Sequence, residues 1–374
     1  MKKTIILIIS ISLLTGCNYV ELNDLAIASS IGIDYDKKNK SYDLTAQIIN
    51  VKSGDSGSAE ESTIIYEAKG KTMSEAVSNF SIRYPKNVYF GHLEMCVLGK
   101  SAVENKLSNI FDYFIRDSES KSSCYTLIAK DKTAREILNP KNEKSENFPT
   151  EDLKSVLIDG TNKTGTINKI TLEEFLGYTL EKGIDPVIPT VNIVGSNKES
   201  SSNTIIDSTT VISKNKVIEN MSKNSSIIYN TIKNNYSNTV IDLKYNDDYI
   251  SFIIYNPKVN IDTKVENNIP IFDIDIDIEI KSSELNERID LNDKKLQMYF
   301  ENEINKTFKR HFDQLIDYSR NNNVDPIGLG NMLYKSYPEK YKNIKNKDIY
   351  SISKINMNVK SKMYVHGNIN KGAL

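Results

Sequence analysis

The chain has 374 residues, 39% of them hydrophobic, and its 48 Lys and Arg against 49 Asp and Glu give a formal net charge of −1. With both signs interspersed there is no basic face to neutralise phosphates, which argues against nucleic acid as a partner. The length suffices for more than one hydrophobic core, and three cysteines do not make a disulfide framework.

At the start, Lys2 and Lys3 precede an apolar stretch from Thr4 to Leu14, the profile of an export signal. The stretch is shorter than the ~20 apolar residues of a spanning helix. Leu14-Thr15-Gly16-Cys17 resembles a bacterial lipobox. That resemblance implies a diacylglyceryl group on the Cys17 thiol and cleavage after Gly16, so residues 1–16 are expected to be a signal peptide. Two acyl chains hold a protein on a bilayer where one binds only weakly. Cys96 and Cys124 remain, both inside strand-like runs, and read as buried free thiols.

Strand patterns at Ala26–Ile33, Tyr42–Val51 and Thr63–Ala68 precede a helix over Thr72–Tyr84 with Met73, Ala76, Val77 and Phe80 on one face. Strand Val88–Leu98, helix Ala102–Ile115, strand Cys124–Ala129 and helix Thr133–Leu138 continue the alternation. Thr171 is placed to cap a further helix, with Glu174 three residues on.

Composition dips toward flexibility at Ser53–Ser62, Asn139–Thr150 and Gly195–Asn203. The expected division is therefore an N-terminal α/β region over 17–195, with a subdomain split near 140–150, a linker over 196–203, and an α+β domain over 204–374. The second domain reads as TTVIS, KVIE, TVIDLKY, YISFIIY and KVNIDTKV, then IFDIDIDIEIK, a helix from Asp293 to Asn321 and a strand Ile352–His366. The helix is expected to bury Leu296, Tyr299, Phe300, Ile304, Phe308, Phe312, Leu315 and Ile316. The fold class is thus α+β and multi-domain: a mixed-sheet first domain and an antiparallel-sheet second domain with one long helix.

Four stretches bear chemistry-like patterns. Gly54-Asp55-Ser56-Gly57-Ser58 approaches the nucleophile motif of a serine protease, but no histidine precedes Ser56 to take its proton. Asp273, Asp275 and Asp277 have calcium-loop spacing, yet Ile278 stands where the loop needs glycine, and the alternation is a strand's. His92 and Glu94, two apart on an expected strand, lack a local third ligand for a metal, and His92 reads as a half-buried structural histidine. Gly328-Leu329-Gly330 follows a helix and lacks a third glycine, so it reads as a tight turn. No catalytic set, metal site or cofactor site emerges.

The arrangement as a whole is recognisable. GCNYVELNDLAIASSIGIDYD, GKTMSEAV, YFGHLEMCVLGKSAVEN, FDYFIRDSESK, LIAKDKTAREIL, LEEFLGYTLEKGIDPVIP and VDPIGLGNML together resemble the Ger(x)C family, the lipoprotein subunit of bacterial spore nutrient receptors. Asn18 and Tyr341 stand where the family commonly has tryptophan. The resemblance implies a non-catalytic protein on the outer face of the inner spore membrane, held to the bilayer through Cys17. It also implies assembly with integral-membrane A- and B-type germinant receptor subunits. Gly91, His92, Arg116 and Asp117, polar residues at the ends of apolar elements, are the expected partner surface. The competing class is a solute-binding lipoprotein of an importer, which would need a ligand cleft between doubly wound lobes.

Overall fold

The computed structural model describes residues 24–53, 59–117, 120–139, 149–194, 203–284, 289–344 and 348–364. Cys17 and its lipobox, the Ser56 loop, the stretch 140–148 and all of the expected linker but Asn203 lie outside them.

Three long strands open the chain as an antiparallel meander: β1 (Leu25–Asp36), β2 (Ser41–Ser53) and β3 (Ala59–Gly70). Helix α1 (Met73–Arg83) follows, capped by the Thr72 hydroxyl accepting from the Glu75 N–H at 3.1 Å. The single strand expected over Val88–Leu98 is two pieces, β4 (Asn87–Tyr89) beside the start of β1 and β5 (Met95–Gly99) beside its middle. Gly91 and His92 form the turn that breaks it.

Helix α2 (Lys100–Arg116) buries Val103, Leu107, Ile110 and Phe114 and returns the chain to β6 (Tyr125–Ala129), parallel to β5. Then come α3 (Ala134–Leu138), α4 (Pro149–Thr164) and α5 (Leu172–Leu180). Thr133 and Thr171 each close a capping box, with Glu136 and Glu174, as the spacing at Thr171 predicts. The parallel middle strands are covered on both faces, so MCVLG is buried throughout. Cys96 and Cys124 are buried there, and burial pushes the Cys124 thiol up to about 12.

Strand β7 (Val187–Val194) runs parallel to β6, and β8 (Asn203–Ser213) and β9 (Lys216–Asn220) add to it antiparallel. The sheet order is β3-β2-β1-β5-β6-β7-β8-β9, with β4 also on β1. TTVIS and KVIE, expected to open the second domain, therefore complete the first sheet. A local pattern marks a strand and is silent about its partner, and here the partner lies back across the 196–203 stretch.

The second sheet, order β10-β11-β12-β13, forms after α6 (Lys223–Lys233). It comprises β10 (Asn238–Tyr245), β11 (Asp248–Glu266), β12 (Ile269–Glu284) and β13 (Lys354–Met363). YISFIIY and KVNIDTKV, expected as two strands, are one, with a register shift around Pro257. The sheet is antiparallel through its first three strands, and β13 joins β12 in parallel. Phe272, Ile274, Ile276, Ile278 and Ile280 are buried, which places Asp273, Asp275 and Asp277 on the outer face.

Helix α7 (Lys294–Asn322) covers the isoleucine face with Phe300, Ile304, Phe308, Phe312, Leu315 and Ile316. Leu296 packs at its edge, while Tyr299, expected inside, is 42% exposed. Its ring stands edge-on to Tyr245 instead. Helices α8 (Leu329–Ser336), α9 (Pro338–Ile344) and α10 (Ile349–Ile352) lead to β13. One apolar cluster joins this core to Val187, Val211 and Met221 from the first sheet's end.

Candidate functional site: a groove on the first domain and the junction of the two domains

The four expected partner-surface residues fall in two places. Gly91 and His92 occupy the turn between β4 and β5, where a Cβ on residue 91 would run into the Tyr89 ring. His92 is exposed, not half-buried, with its ring 5.8 Å from that of Tyr89 in an edge contact. The turn also separates it from Glu94, whose carboxylate pairs with Lys154 at 2.9 Å. The shared strand face that His92 and Glu94 would need is absent because the strand is broken.

Arg116 and Asp117 end α2. Arg116 pairs with Asp112 one turn back at 2.8 Å, not with its neighbour Asp117, which accepts from the Ser120 hydroxyl. Both line a groove of about 600 Å³ with Lys71 and Met73 at the start of α1 and with Tyr42 and Lys106. Most of its lining comes from GKTMSEAV and FDYFIRDSESK. The structure thus brings Arg116 and Asp117 together on one concave surface and leaves Gly91 and His92 outside its lining. Among the described residues no group of three or more His, Cys, Asp or Glu could hold a metal ion.

The best-built polar site is one that reading the sequence missed. The Asp185 N–H donates to the Asp325 carbonyl at 2.9 Å, and the Asp325 N–H donates to the Asp185 carboxylate at 2.8 Å. The Asp325 carboxylate in turn accepts from the N–H groups of Gly328, Leu329 and Gly330 at 2.8, 3.0 and 2.7 Å and from the Tyr350 hydroxyl at 2.8 Å. Burial drives its pKa up to about 6 in spite of those donors. Burial raises the Asp185 carboxyl as well.

Glycines let the two segments touch. Gly183, at φ +70°, accepts from the Asn331 N–H at 2.6 Å, and a Cβ there would sit 2.5 Å from the Gly330 carbonyl carbon. Gly328, at φ +85°, begins α8. Around the contact, Lys233 donates to the Ile327 carbonyl at 2.9 Å and Lys182 lies 4.9 Å above the Tyr334 ring. A cleft of about 450 Å³ opens beside it, lined by Asp185, Lys214, Asn323, Tyr341 and Asp348. The signal in the sequence is the pair of Asp-Pro steps in GIDPVIP and VDPIGLG, which are far apart in the chain and meet only in the fold.

Comparison with known proteins matches two family models to the chain, one after the other. A family model described as a spore germination protein N-terminal domain matches residues 18–193, and one described as spore germination B3/GerAC like, C-terminal, matches residues 207–367. Spore germination protein KC of Bacillus subtilis (strain 168) is 25% identical, over 96% of this chain and 94% of that protein. Spore germination protein B3 of the same organism is 24% identical, over 96% of each. The crystal structure of the GerBC protein has the same fold, with a TM-score of 0.53 and 21% identity over 89% of this chain and 97% of that one. With both domain models matched in order and relatives aligned from end to end, the chain belongs to the Ger(x)C family of spore germination proteins.

Proposed function

We propose that this chain is a non-catalytic, lipid-anchored subunit of a spore nutrient receptor, needed for receptor assembly and germination signalling. In this reading residues 1–16 are removed and Cys17 carries the acyl chains on the outer face of the inner spore membrane. The protein assembles there with integral-membrane A- and B-type subunits. The observation that carries the reading is the end-to-end match to two spore germination proteins, covering both domains in one chain. No described helix is long and apolar enough to cross a membrane, and in this reading the lipobox cysteine supplies the attachment. The groove holding Arg116 and Asp117 offers a partner surface of mixed charge, with the His92 turn as a second contact point.

Replacing the gene with a Cys17→Ala version tests this. The precursor is expected to remain unprocessed, the protein to leave the spore membrane fraction, and the response to one set of nutrients to fall. Germination by a stimulus that bypasses the receptors should persist. A processed variant still wholly in the membranes would refute the anchor. Spores lacking the protein that answer every nutrient normally, from cells that fail to import one solute during growth, would place it among solute-binding lipoproteins.

A further inference from the structure

From Ile355 to Val359 no described strand pairs with the outer edge of β13, whereas farther along side chains of α7 cap it, and its residues state what kind of strand it would take. The Ser361 N–H donates to the Asn305 side chain at 3.0 Å and the Met363 N–H to the Glu301 carboxylate at 2.7 Å, so both point away from β12. The Tyr364 N–H, one position on, donates to the Ile280 carbonyl of β12 at 2.8 Å. Because a strand's N–H and C=O groups alternate sides, those of Ile355, Met357 and Val359 also face outward. Among the described residues no strand lies beyond β13 in its sheet. The side chains agree: Ile355, Met357 and Val359 are only half-buried, whereas Phe272, Ile274 and Ile276 beside them on β12 are buried.

The exposed face of β13 carries Lys354, Asn356, Asn358, Lys360 and Lys362 and no carboxylate. On its inner edge β13 already holds a strand in which aspartate alternates with isoleucine. Asn356 donates to Asp273 at 2.7 Å, Asn358 to Asp275 at 3.2 Å, and Lys360 lies opposite Asp277 in register. The outer edge presents the same side chains to whatever pairs next. We propose that the β13 edge from Ile355 to Val359 docks an extended, acidic segment of a partner protein, added as a further strand to the second sheet. Backbone bonds supply affinity and the lysines select for alternate carboxylates. A second copy of β13 is disfavoured because lysines would face lysines across the new pair. This surface lies on the second domain and does not depend on the groove or the membrane anchor.

The test uses the mature chain in detergent and a fluorescent peptide alternating Asp with Thr and Val, beside a control carrying Lys for Asp, read by anisotropy. Saturable binding of the acidic peptide and none of the basic one is expected. Val359→Pro removes an outward N–H without touching the ladder to β12 and should weaken binding at least tenfold. Lys354→Glu with Lys360→Glu should do the same without altering the backbone, and decides the matter if the proline variant misfolds. Equal binding of the two peptides, no saturable binding, or unchanged affinity in both variants overturns the proposal. So does a dimer that Val359→Pro dissociates, which would make a second copy the occupant. A chain ending at Tyr364 that binds the peptide more tightly than the full chain would hand the edge to residues 365–374 and also overturn it.

Discussion

Asp325 and His311 pull the protein's acid stability in opposite directions. Asp325 has a folded pKa of about 6 against an ordinary 3.8, raised by burial. Below about pH 4 both folded and unfolded chains hold that proton. Between about 4 and 6 only the folded chain keeps it, so stability falls by up to about 3 kcal/mol as pH rises. His311 is buried on α7 and lowered to about 4 from 6.5 by burial and by Arg310 beside it. The unfolded chain therefore binds its proton across that window, and stability rises with pH. Urea denaturation from pH 4 to 7 should show the advantage of wild type over Asp325→Asn shrinking as pH rises, and that over His311→Gln growing. Parallel profiles for the two variants would show that neither residue titrates as its burial requires. Neither role is legible in the sequence. VDPIGLG announces a turn, but what buries its carboxylate is Tyr350, together with a segment 140 residues back. His92 fails the other way, since its alternation with Glu94 looks like a strand until Gly91 turns the chain.

Elements with long, regular patterns were readable because their periodicity is the physical cause of their burial. The isoleucines of β12 and the stripe of α7 face each other, and Phe308 at their contact has 0% exposure. Phe308→Ala should cost about 3 to 5 kcal/mol, from lost burial and the cavity left behind. Chemical denaturation measures it directly, and a loss under about 1 kcal/mol would mean that α7 does not carry this core. Helix α6 was invisible for a related reason. Its Ile227, Ile228, Thr231 and Ile232 are β-branched residues that favour strands, and its polar Ser225, Ser226, Asn230 and Thr231 do not mark a solvent face, since eight consecutive positions from Ser225 to Ile232 are buried. Tertiary packing between the sheets decides for the helix there. The pairing of β8 and β9 with β7 was hidden too, because strand order is set by partners distant in sequence.

At the scale of the whole molecule, two sheets with separate covers meet through a junction that is both apolar and hydrogen-bonded. Val187, Val211 and Met221 reach from the first sheet into the second core, so the second core is not closed without the first. The reciprocal bonds between Asp185 and Asp325 and the contact of Gly183 with Gly330 sit on that seam. In the proposed receptor role the two halves need to move as a unit, because a loose linker would dissipate any displacement. The wild-type mature chain should therefore unfold in a single calorimetric transition in which the calorimetric and van't Hoff enthalpies agree. Gly183→Ala tests the coupling with the smallest change available. The added methyl meets the Gly330 backbone and must adopt a positive φ, a conformation that costs on the order of 1 kcal/mol before any clash. The variant is expected to separate the trace into two transitions, because the strain falls on the seam and leaves both cores intact. Gly177→Ala is the control, since a Cβ there meets nothing within 4 Å. If Gly183→Ala merely lowers the midpoint of one unbroken transition, the seam adds stability without being what joins the domains, and the apolar bridge through Val187, Val211 and Met221 carries the coupling instead.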